Sequence, residues 1–584
     1  MILQALAQHY ETLRKKDKVP QYGFSIEKTA ALITIAPNGE LIQITPLMRE
    51  VQSGKKLKTI SQDRVVPTPS SATSGDTPNF LYDASDYLFG ILPGAKAPRT
   101  VKRHEASAQL HHDVLSGCSG PVATAILAFY RTWIPSVQHC TIKDNLDLIV
   151  TGSMIFEVKG YGFAHEDIEV QQAWLSFLNA NASEIKMICL VSGKNSPIAL
   201  VHRKIKGIAG GHPAGTALVS FNTESVESYK HVQGLNAPVS EYAANAYVTA
   251  LNYLLSNNKN TTRIGDATVV YWSENDDEAA QEMLRIGLMM TNRKEDEDKL
   301  RNIMHRITCA LPLDEIDLQC PCHIVGFSPN GGRISVRFYL RNSLGVFLNN
   351  INAHYQRLEI THARNERDYL SPWELLQETV NPFGRDKQAS PLLAGAFLRS
   401  ILQNTRYPAA LYQATLLRLH AVQDNLEKNI KKVSRGRAAI LKACLLMENA
   451  LTNDQKEALT PMLNEDSTNK AYVLGRLFAV LENAQQTASP NLTTTIKNRY
   501  FSSACMTPRT VFPRLLQLNQ HHMNKISNEG AKVNISKRIG TLMDKLDVEN
   551  KPFPAYLSLQ DQGLFVLGYY QQTQSHYRGN KEEA

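Results

Sequence analysis

The sequence is poor in cysteine and lacks any long hydrophobic run. Its eight cysteines are spread over 584 residues without a regular framework spacing. The N-terminal stretch MILQALAQHYETLRKKDKVP shows no charged-then-apolar signal pattern, and no run of about 18 apolar residues occurs. We therefore expect reduced thiols, a cytoplasmic location and no membrane span.

Complete catalytic signatures are also missing. The chain has no G-x-S-x-G elbow, no H-E-x-x-H and no kinase signature set. The stretch KGIAGGHPAGTALVSFN at 206–222 comes nearest to a nucleotide-binding loop. However, Thr216 and Ala217 follow Gly215 where a Walker loop needs Lys and then Ser or Thr. We therefore predict a protein that is not an enzyme and holds no cofactor.

Two incomplete clusters leave a different class of function open. His112 and Asp113 stand in QLHHDVL, and the CPCH stretch at 320–323 follows His305 and Cys309. Neither cluster has the spacing of a four-ligand zinc site. We expect no metal site, but a metal-dependent nuclease that uses these residues remains the alternative.

The chain is long and apolar enough to fold into several compact regions, with a mild positive bias. Hydrophobic residues make up 43%, and 63 basic residues stand against 55 acidic ones, giving a net charge of +8. This balance is compatible with a nucleic-acid partner but does not identify one.

Hydrophobic periodicity predicts an α+β fold with a change of character along the chain. Residues 1–375 form a mixed α/β region, and residues 376–584 form a helical bundle. The elements predicted in the first region are helices over 1–15, 103–135 and 240–255, hairpins over 28–45 and 323–340, strands over 148–158, 185–202 and 266–272, an exposed loop over 52–78 and a solvated charged connection over 274–298.

The glycine-rich stretch predicts a basic loop that leads into a strand, TALVSF at 216–221. Four glycines fall between Gly207 and Gly215, behind the cations of HRK at 202–204 and Lys206. Glycine permits close approach of the backbone to another molecule, and the cations favour an anionic partner. A plain surface turn explains the same pattern equally well.

Several blocks together resemble one family, the large subunit of the type I-C CRISPR interference (Cascade) complex. They keep the expected order along almost the whole chain. The blocks are MILQALAQHYETL at 1–13, TSGDTPNFLYDASDYLFG at 73–90, GGHPAGTALVSFNTESVESYKHVQGLNAPVSEYAANAYVTALNYLL at 210–255, IGDATVVYW at 264–272, GFSPNGGRISVRFY at 326–339, AYVLGRLFAVLENAQ at 471–485, RYFSSACMTP at 499–508 and LFVLGYYQQ at 564–572.

The resemblance implies a non-catalytic role in an RNA-guided complex. Such a subunit recognises the short flanking motif (PAM) in double-stranded target DNA and helps to open the duplex for guide RNA pairing. It also supports the recruitment of a separate helicase-nuclease. The implied partners are the guide CRISPR RNA, the target DNA, the backbone and small subunits and the helicase-nuclease. A scaffold that contacts only protein subunits is a further alternative.

The resemblance and side-chain chemistry together suggest residues for flank recognition, since cations contact phosphates while amides and hydroxyls contact base edges. The candidates are Asn79, Arg203, Lys204, Lys206, Gly210, Gly211, Gly215, Ser220, Asn222, Gln233 and Asn236, with Lys55, Lys56 and Lys58 gripping the flanking duplex. Turn and cap hydrogen bonding explains Ser220, Asn222 and Asn236 equally well.

The stretch 425–443 predicts a basic face on one or two helices. Its cations are Lys428, Lys431, Lys432, Arg435, Arg437 and Lys442. Such a face could hold a nucleic-acid strand electrostatically, or it could be an ordinary solvated helix face. The family also implies a separately made small subunit that begins inside the chain, either at Met462, giving 462–584, or at Met447.

Overall fold

The computed structural model groups the chain into two compact units. It describes residues 1–53, 56–70, 76–92, 97–135, 152–288, 294–309, 311–313, 316–385, 387–425, 427–490, 492, 494–546 and 551–582. The first unit comprises Met1–Gly207, Gly211–Ser256 and Asn330–Ile334, and the second comprises Ile208–Gly210, Asn257–Pro329 and Ser335–Ala584.

The first unit combines short strands with six helices in its described part. Its helices are α1 (Ile2–Lys15), α2 (Ser85–Leu88), α3 (Ala97–Leu115), α4 (Pro121–Thr132), α5 (Ile168–Ala180) and α6 (Glu241–Ser256). Its strands are β1 (Phe24–Thr29), β2 (Ala31–Ile35), β3 (Leu41–Pro46), β4 (Met48–Ser53), β5 (Lys56–Pro67), β6 (Tyr82–Asp83), β7 (Met154–Val158), β8 (Gly162–Phe163), β9 (Lys186–Ile188) and β10 (Asn195–Pro197).

Two larger sheets organise the described part of this unit, and β9 and β10 form a separate antiparallel pair. One has the order β3-β2-β7-β6, with β8 paired to β7, and the other has the order β1-β5-β4. Strand β2 runs parallel to β7 and antiparallel to β3. The aromatic rings of Phe89, Phe129, Trp133 and Phe156 pack in the core beside the first sheet.

The structure confirms several predicted elements of this unit and corrects others. The helix at 1–15, the 28–45 hairpin and the helix at 240–255 are present, and the hydroxyl of Ser240 accepts a hydrogen bond from the Ala243 N–H at 3.2 Å. The predicted helix 103–135 is two helices, α3 and α4. Only β9 and β10 form within 185–202, and 148–151 lies outside the described residues.

The predicted exposed loop at 52–78 is wrong over most of its length. Strand β5 spans 12 residues there and pairs antiparallel with both β1 and β4. The strand is rich in β-branched residues, and one face is open to solvent: Asp63 and Val65 are exposed while Val66 is buried. A strand that is polar on one face therefore resembles a loop by composition.

The second unit joins one antiparallel sheet to a large set of helices. The sheet has the order β11-β12-β13-β14, formed by β11 (Thr261–Ile264), β12 (Ala267–Ser273), β13 (Pro321–Asn330) and β14 (Arg333–Ser343). Its helices are α7 (Glu278–Leu288), α8 (Lys294–Thr308), α9 (Leu344–Leu358), α10 (Pro372–Gln377), α11 (Pro391–Gln403), α12 (Ala409–Ala421), α13 (Arg435–Leu446), α14 (Asn453–Glu457), α15 (Lys470–Ala488), α16 (Ile496–Met506), α17 (Pro508–Lys525), α18 (Glu529–Asp544) and α19 (Leu559–Glu582).

The sheet agrees with the sequence prediction, whereas the stretch before it does not. Strand β12 is buried throughout, and the predicted 323–340 hairpin is present as β13 and β14. The predicted charged connection at 274–298 is wrong, because it contains α7 and the start of α8. Ala280, Leu284 and Leu288 repeat every four residues and are buried, while Arg285 pairs with Glu282 at 2.7 Å.

Helices α15 and α19 pack closely through two glycines. A side chain at Gly475 would overlap the carbonyl oxygen of Phe565, and one at Gly568 would overlap the carbonyl oxygen of Tyr472. The two backbones therefore approach more closely than any larger residue would permit. The α+β class with a helical C-terminal region is confirmed, and no described helix is long and apolar enough to cross a membrane.

Replacement of Gly475 by Ala should destabilise the protein. The added methyl group meets backbone that cannot rotate away, so we expect a cost of about 1–3 kcal/mol and a melting temperature several degrees lower. Gly540→Ala is the matched control, because nothing lies within 4 Å of its Cβ position in α18. That variant should gain about 0.5–1 kcal/mol. Equal melting temperatures for the two variants would contradict the close packing of α15 and α19.

Candidate nucleic-acid interface

A long irregular segment, residues 198–240, joins β10 to α6, and all of it except Ile208–Gly210 belongs to the first unit. It contains two short 3-10 turns, Glu224–Val226 and Gln233–Asn236, and its ends are tied by a backbone pair between Ile198 and Ser240. Loops of this length without regular structure are uncommon in compact domains and are usually functional.

The glycine-rich part of this segment, residues 206–215, forms a small loop that we call the glycine excursion, and one backbone pair closes it. Ile205 and Thr216 exchange N–H···O bonds of 2.8 and 2.9 Å, so residues 206–215 leave and return at the same place. Gly215 has φ +94°, and a Cβ there would lie 2.8 Å from the Cβ of Lys204. Gly210 has φ +75°, whereas Gly211 has no such conformation. Packing within the loop thus already requires Gly215, with or without a ligand.

The strand predicted at 216–221 is not present. The N–H of Ala217 donates to the Gly332 carbonyl at 3.0 Å, and its carbonyl accepts from the Ile334 N–H at 2.9 Å. This is an isolated bridge between Ala217 and Arg333, the first residue of β14, and it is not continued into a ladder. Beyond Ala217 the chain makes no further strand pairs before Asn222.

One carboxylate pairs with two of the three cations of this loop that were predicted to contact phosphates. Glu27 on β1 accepts from the Arg203 guanidinium at 3.0 Å through Oε1 and from the Lys206 ammonium at 3.1 Å through Oε2. Burial lowers the pKa of Arg203. Lys204 is exposed, and no ion pair of its side chain is found in the described part of the chain. Lys204 is therefore the most available cation of the set.

The amide of Asn236 is used inside the loop. Its Oδ1 accepts from the Ser228 N–H at 2.8 Å, and its Nδ2 donates to the carbonyls of His231 and Gln233 at 2.8 and 3.0 Å. The turn-forming alternative therefore describes Asn236 in this structure. Asn222 is exposed and accepts from the guanidinium of Arg333.

The same hydrogen bonds hold a strained tip, residues 227–236, that sequence analysis did not identify. Tyr229, Lys230 and Gln233 have φ of 53°, 59° and 47°, which is rare for residues with side chains. Glu227 accepts from the Gln233 N–H at 2.8 Å and closes the tip. Tyr229 is 94% exposed. Such strain persists only where surrounding contacts enforce it, and it is concentrated at functional sites.

The remaining predicted readers lie at other places in the first unit. Ser220 is half-buried, and Gln233 is exposed. Asn79 accepts from the Ser70 N–H at 2.8 Å, and its own N–H donates to Asp83 at 2.7 Å. Lys55 and the side chains of Lys56 and Lys58 lie outside the described residues.

The basic face predicted at 425–443 is only partly present. Lys432, Arg437 and Lys442 are at most 4% exposed and donate to backbone carbonyl oxygens, including a 2.9 Å bond from Lys442 to Arg357. The expected surface position is wrong for these three side chains. Arg437 and Lys442 lie on α13, which is buried over most of its length, and Lys432 is buried in the stretch just before it. Lys428 and Lys431 are exposed, and Arg435 is nine-tenths buried.

Comparison with known families gives the context for these loops. The family described as CRISPR-associated protein (Cas_Csd1) matches residues 6–577. The chain belongs to this CRISPR-associated family. A search of curated proteins gives no match.

The His112 and Asp113 pair considered for a nuclease lies beside a buried histidine in this Cas_Csd1 family member. His111 is buried and bonds to the Leu81 N–H and the Ser107 carbonyl, while its neighbours His112 and Asp113 are exposed with 3.9 Å between them. The described residues contain no group of three or more potential metal ligands. This end of α3 therefore offers no support for the nuclease alternative.

The CPCH stretch belongs to the sheet of the second unit. Cys320 and Cys322 are buried, and burial raises the pKa of the Cys322 thiol. The imidazole of His323 stacks between Trp272 and Tyr339, at 4.8 and 5.8 Å between ring centres. These side chains pack the face of the sheet rather than forming an open site.

The buried amine of Lys442 should reveal itself in the pH dependence of stability. Burial lowers the pKa of Lys442 from 10.5 to about 8, so between these values the unfolded chain binds more protons than the folded chain. The free energy of unfolding of the wild type should therefore rise with pH relative to that of Lys442→Met. The total rise should be on the order of 3 kcal/mol. Denaturation between pH 7 and 10.5 measures this difference.

Lys431→Met is the control, since Lys431 is exposed nearby. It should leave the pH dependence unchanged. If Lys442→Met instead behaves like this control, the amine is solvated and returns to the set of available cations.

Proposed function

We propose that this chain is the non-catalytic large subunit of a type I-C CRISPR RNA-guided surveillance complex. In this role it recognises the PAM in double-stranded target DNA and helps to open the duplex for guide RNA pairing. It also supports the recruitment of a separate helicase-nuclease. Its partners are the guide RNA, the target DNA, and the backbone and small subunits.

The observation that carries the proposal is the pre-organised loop at 198–240. Its tip is fixed by side-chain hydrogen bonds, yet it exposes Tyr229 and Lys230, and Lys204 is exposed just before the glycine excursion. A loop that is already ordered loses little conformational entropy on binding. Guide pairing reads the target sequence, so the protein needs only a small rigid element that contacts phosphates and a few base edges.

The hydrogen-bond pattern separates residues that shape the loop from residues that can read bases. The amide of Asn236 already makes three bonds within the tip. The side chain of Gln233 is exposed and makes no hydrogen bond to the described part of the chain. We therefore propose that Gln233 reads a base and that Lys204 and Lys230 contact phosphates, with Asn236 as the positioning residue.

The first test uses the complex assembled with its guide RNA and a target duplex. Lys204→Ala with Lys230→Ala should weaken duplex binding and reduce the slope of log affinity against log salt by up to about 0.9 for each lost phosphate contact. Gln233→Ala should relax the preference among flanking sequences with little change in slope. Binding titrations at several salt concentrations, with varied flanks, measure both effects.

Lys186→Ala with Lys194→Ala is the control for charge, because both lysines are exposed outside the loop. It should leave the slope and the flank preference unchanged. A complex that is indifferent to the flank in its wild-type form would reject the proposal and favour a scaffold that contacts only protein.

Glu27 provides a second test, because it competes with phosphate for Arg203 and Lys206. Glu27→Gln keeps the side-chain shape but removes the negative charge, so both cations become available. We expect tighter duplex binding at low salt by several-fold and a salt slope steeper by about 1–2. Duplex-binding titrations at several salt concentrations measure the affinity and the slope. Glu157→Gln on β7 is a matched control. Unchanged or weaker binding by Glu27→Gln would show that Glu27 positions the cations for DNA rather than masking them.

A further inference from the structure

A groove in the second unit lies between residues 365–387 and the start of α13. Its volume is about 1020 Å³, and Arg367, Lys387, Lys428, Lys431 and Arg435 contribute to its walls. A smaller cavity of about 340 Å³, which contains Trp373, shares Gln377 and Lys387 with the groove. The two cavities therefore adjoin one another at these two residues.

Ion pairing decides which cations of the groove are available. Arg367 pairs with Glu374, Arg437 pairs with Glu378 at 3.3 Å, and Arg435 lies 3.9 Å from Glu366. The exposed lysines Lys387, Lys428 and Lys431 have no ion pair in the described part of the chain. The paired groups cancel, and the groove keeps a surplus of three positive charges from these lysines.

The N-terminus of α13, which also faces the groove, is already occupied by a carboxylate. A Cβ at Gly436 would lie 2.6 Å from Oε1 of Glu378, so the missing side chain makes room for Glu378 there. A bound anion therefore cannot use the first turn of this helix. The three lysines remain as its contacts, and they are spread along the groove rather than gathered at one point.

Two exposed aromatic rings accompany these lysines. Trp373 is 51% exposed, whereas Trp133, Trp174 and Trp272 are at most 6% exposed. Trp373 is held on α10, where Ser371 and Glu374 form a reciprocal N-terminal cap. Phe383 is 52% exposed, and the ammonium of Lys428 lies 5.5 Å from its ring centre.

We propose that this groove binds single-stranded nucleic acid, with bases stacked on Trp373 and Phe383 and phosphates on Lys387, Lys428 and Lys431. Spaced cations beside exposed rings are what strand binding without sequence preference requires, because every base has a stacking face. A duplex keeps its bases stacked on one another and would leave both rings without a partner. The site does not depend on flank reading by the loop at 198–240.

The tryptophan content makes this site directly observable. Because Trp373 is the exposed one of the four tryptophans, its emission should be quenched when a base stacks on it. The probe is an oligothymidylate of about 12 nucleotides, within the usual range of strand-binding sites. Oligouridylate of the same length forms the second arm and distinguishes DNA from RNA, and a blunt duplex forms the third. Titrations use the full-length chain and follow both tryptophan emission and probe anisotropy.

We expect quenching by single strands but not by the duplex, and no quenching in Trp373→Phe, which should keep most of its affinity. Lys387, Lys428 and Lys431 replaced together by Ala should lower the salt slope by about 2, at about 0.7 for each contact. The same change at Lys159, Lys186 and Lys194 is the control and should have no effect.

Strand binding without quenching, or equal slopes for the two triple variants, would overturn the groove assignment. So would equal quenching by the duplex, or a chain that fails to bind any single strand. Flank preference is measured separately with duplex targets in the assembled complex. A failure of flank reading with intact quenching would contradict only the proposed function, and the reverse result would contradict only the groove.

Discussion

The cost of leaving a charge unpaired away from water determines which cations of this protein can meet a ligand. Each buried cation named above has an internal partner: Arg203 has Glu27, and Lys442 has the carbonyl of Arg357. Removing such a partner would leave a desolvated charge at a cost of several kcal/mol. A basic stretch in the sequence is therefore a poor guide to a basic surface. Lys428 and Lys431 are exposed, whereas Lys432, the next residue along the chain, is already among the buried residues of the bundle.

Helix caps and turn residues in the sequence correctly predict the helices and hairpins whose ends they form. Ser240 before an apolar period gives α6, and a turn with Gly331 at φ +59° gives the β13–β14 hairpin. Predictions from sequence fail where many charged or polar residues make the periodic pattern of apolar residues hard to recognise. The charges between 274 and 298 suggest a solvated connection, yet the buried positions of α7 repeat every four residues beneath them. The strand β5 fails for another reason: no residue from Ser61 to Val65 is buried, so this part of the strand carries no apolar alternation.

The candidate site is less predictable than the fold because it depends on tertiary hydrogen bonds. The sequence does predict the glycine-rich loop, and it also predicts that Arg203, Lys204 and Lys206 lie beside it. Nothing in SYKHVQ indicates that Tyr229 and Lys230 adopt left-handed conformations. These conformations are held by the bonds that Asn236 and Glu227 accept and by the bond from the His231 N–H to the Ser228 carbonyl. The same bonds change the interpretation of Asn236: the sequence suggested a residue that reads bases, whereas its amide is bonded within the loop and shapes it. Trp373 and Phe383 carry no sequence signal either, because exposure of an aromatic ring is decided by packing.

Rigidity and accessibility therefore have to occur together for a residue to act in recognition, and few positions satisfy both. Lys206 is accessible but tied to Glu27, so binding through it requires exchange of one anion for another. Lys204 and Lys230 need no exchange, since no internal carboxylate competes for them in the described chain. The groove follows the same logic: Arg367 and Arg435 are paired and shape its wall, while three unpaired lysines face the solvent. In both the loop at 198–240 and the groove, the ion-paired cations stabilise the structure and the unpaired cations are available to contact a ligand. Removal of a carboxylate should therefore make its former partner cation available to a ligand.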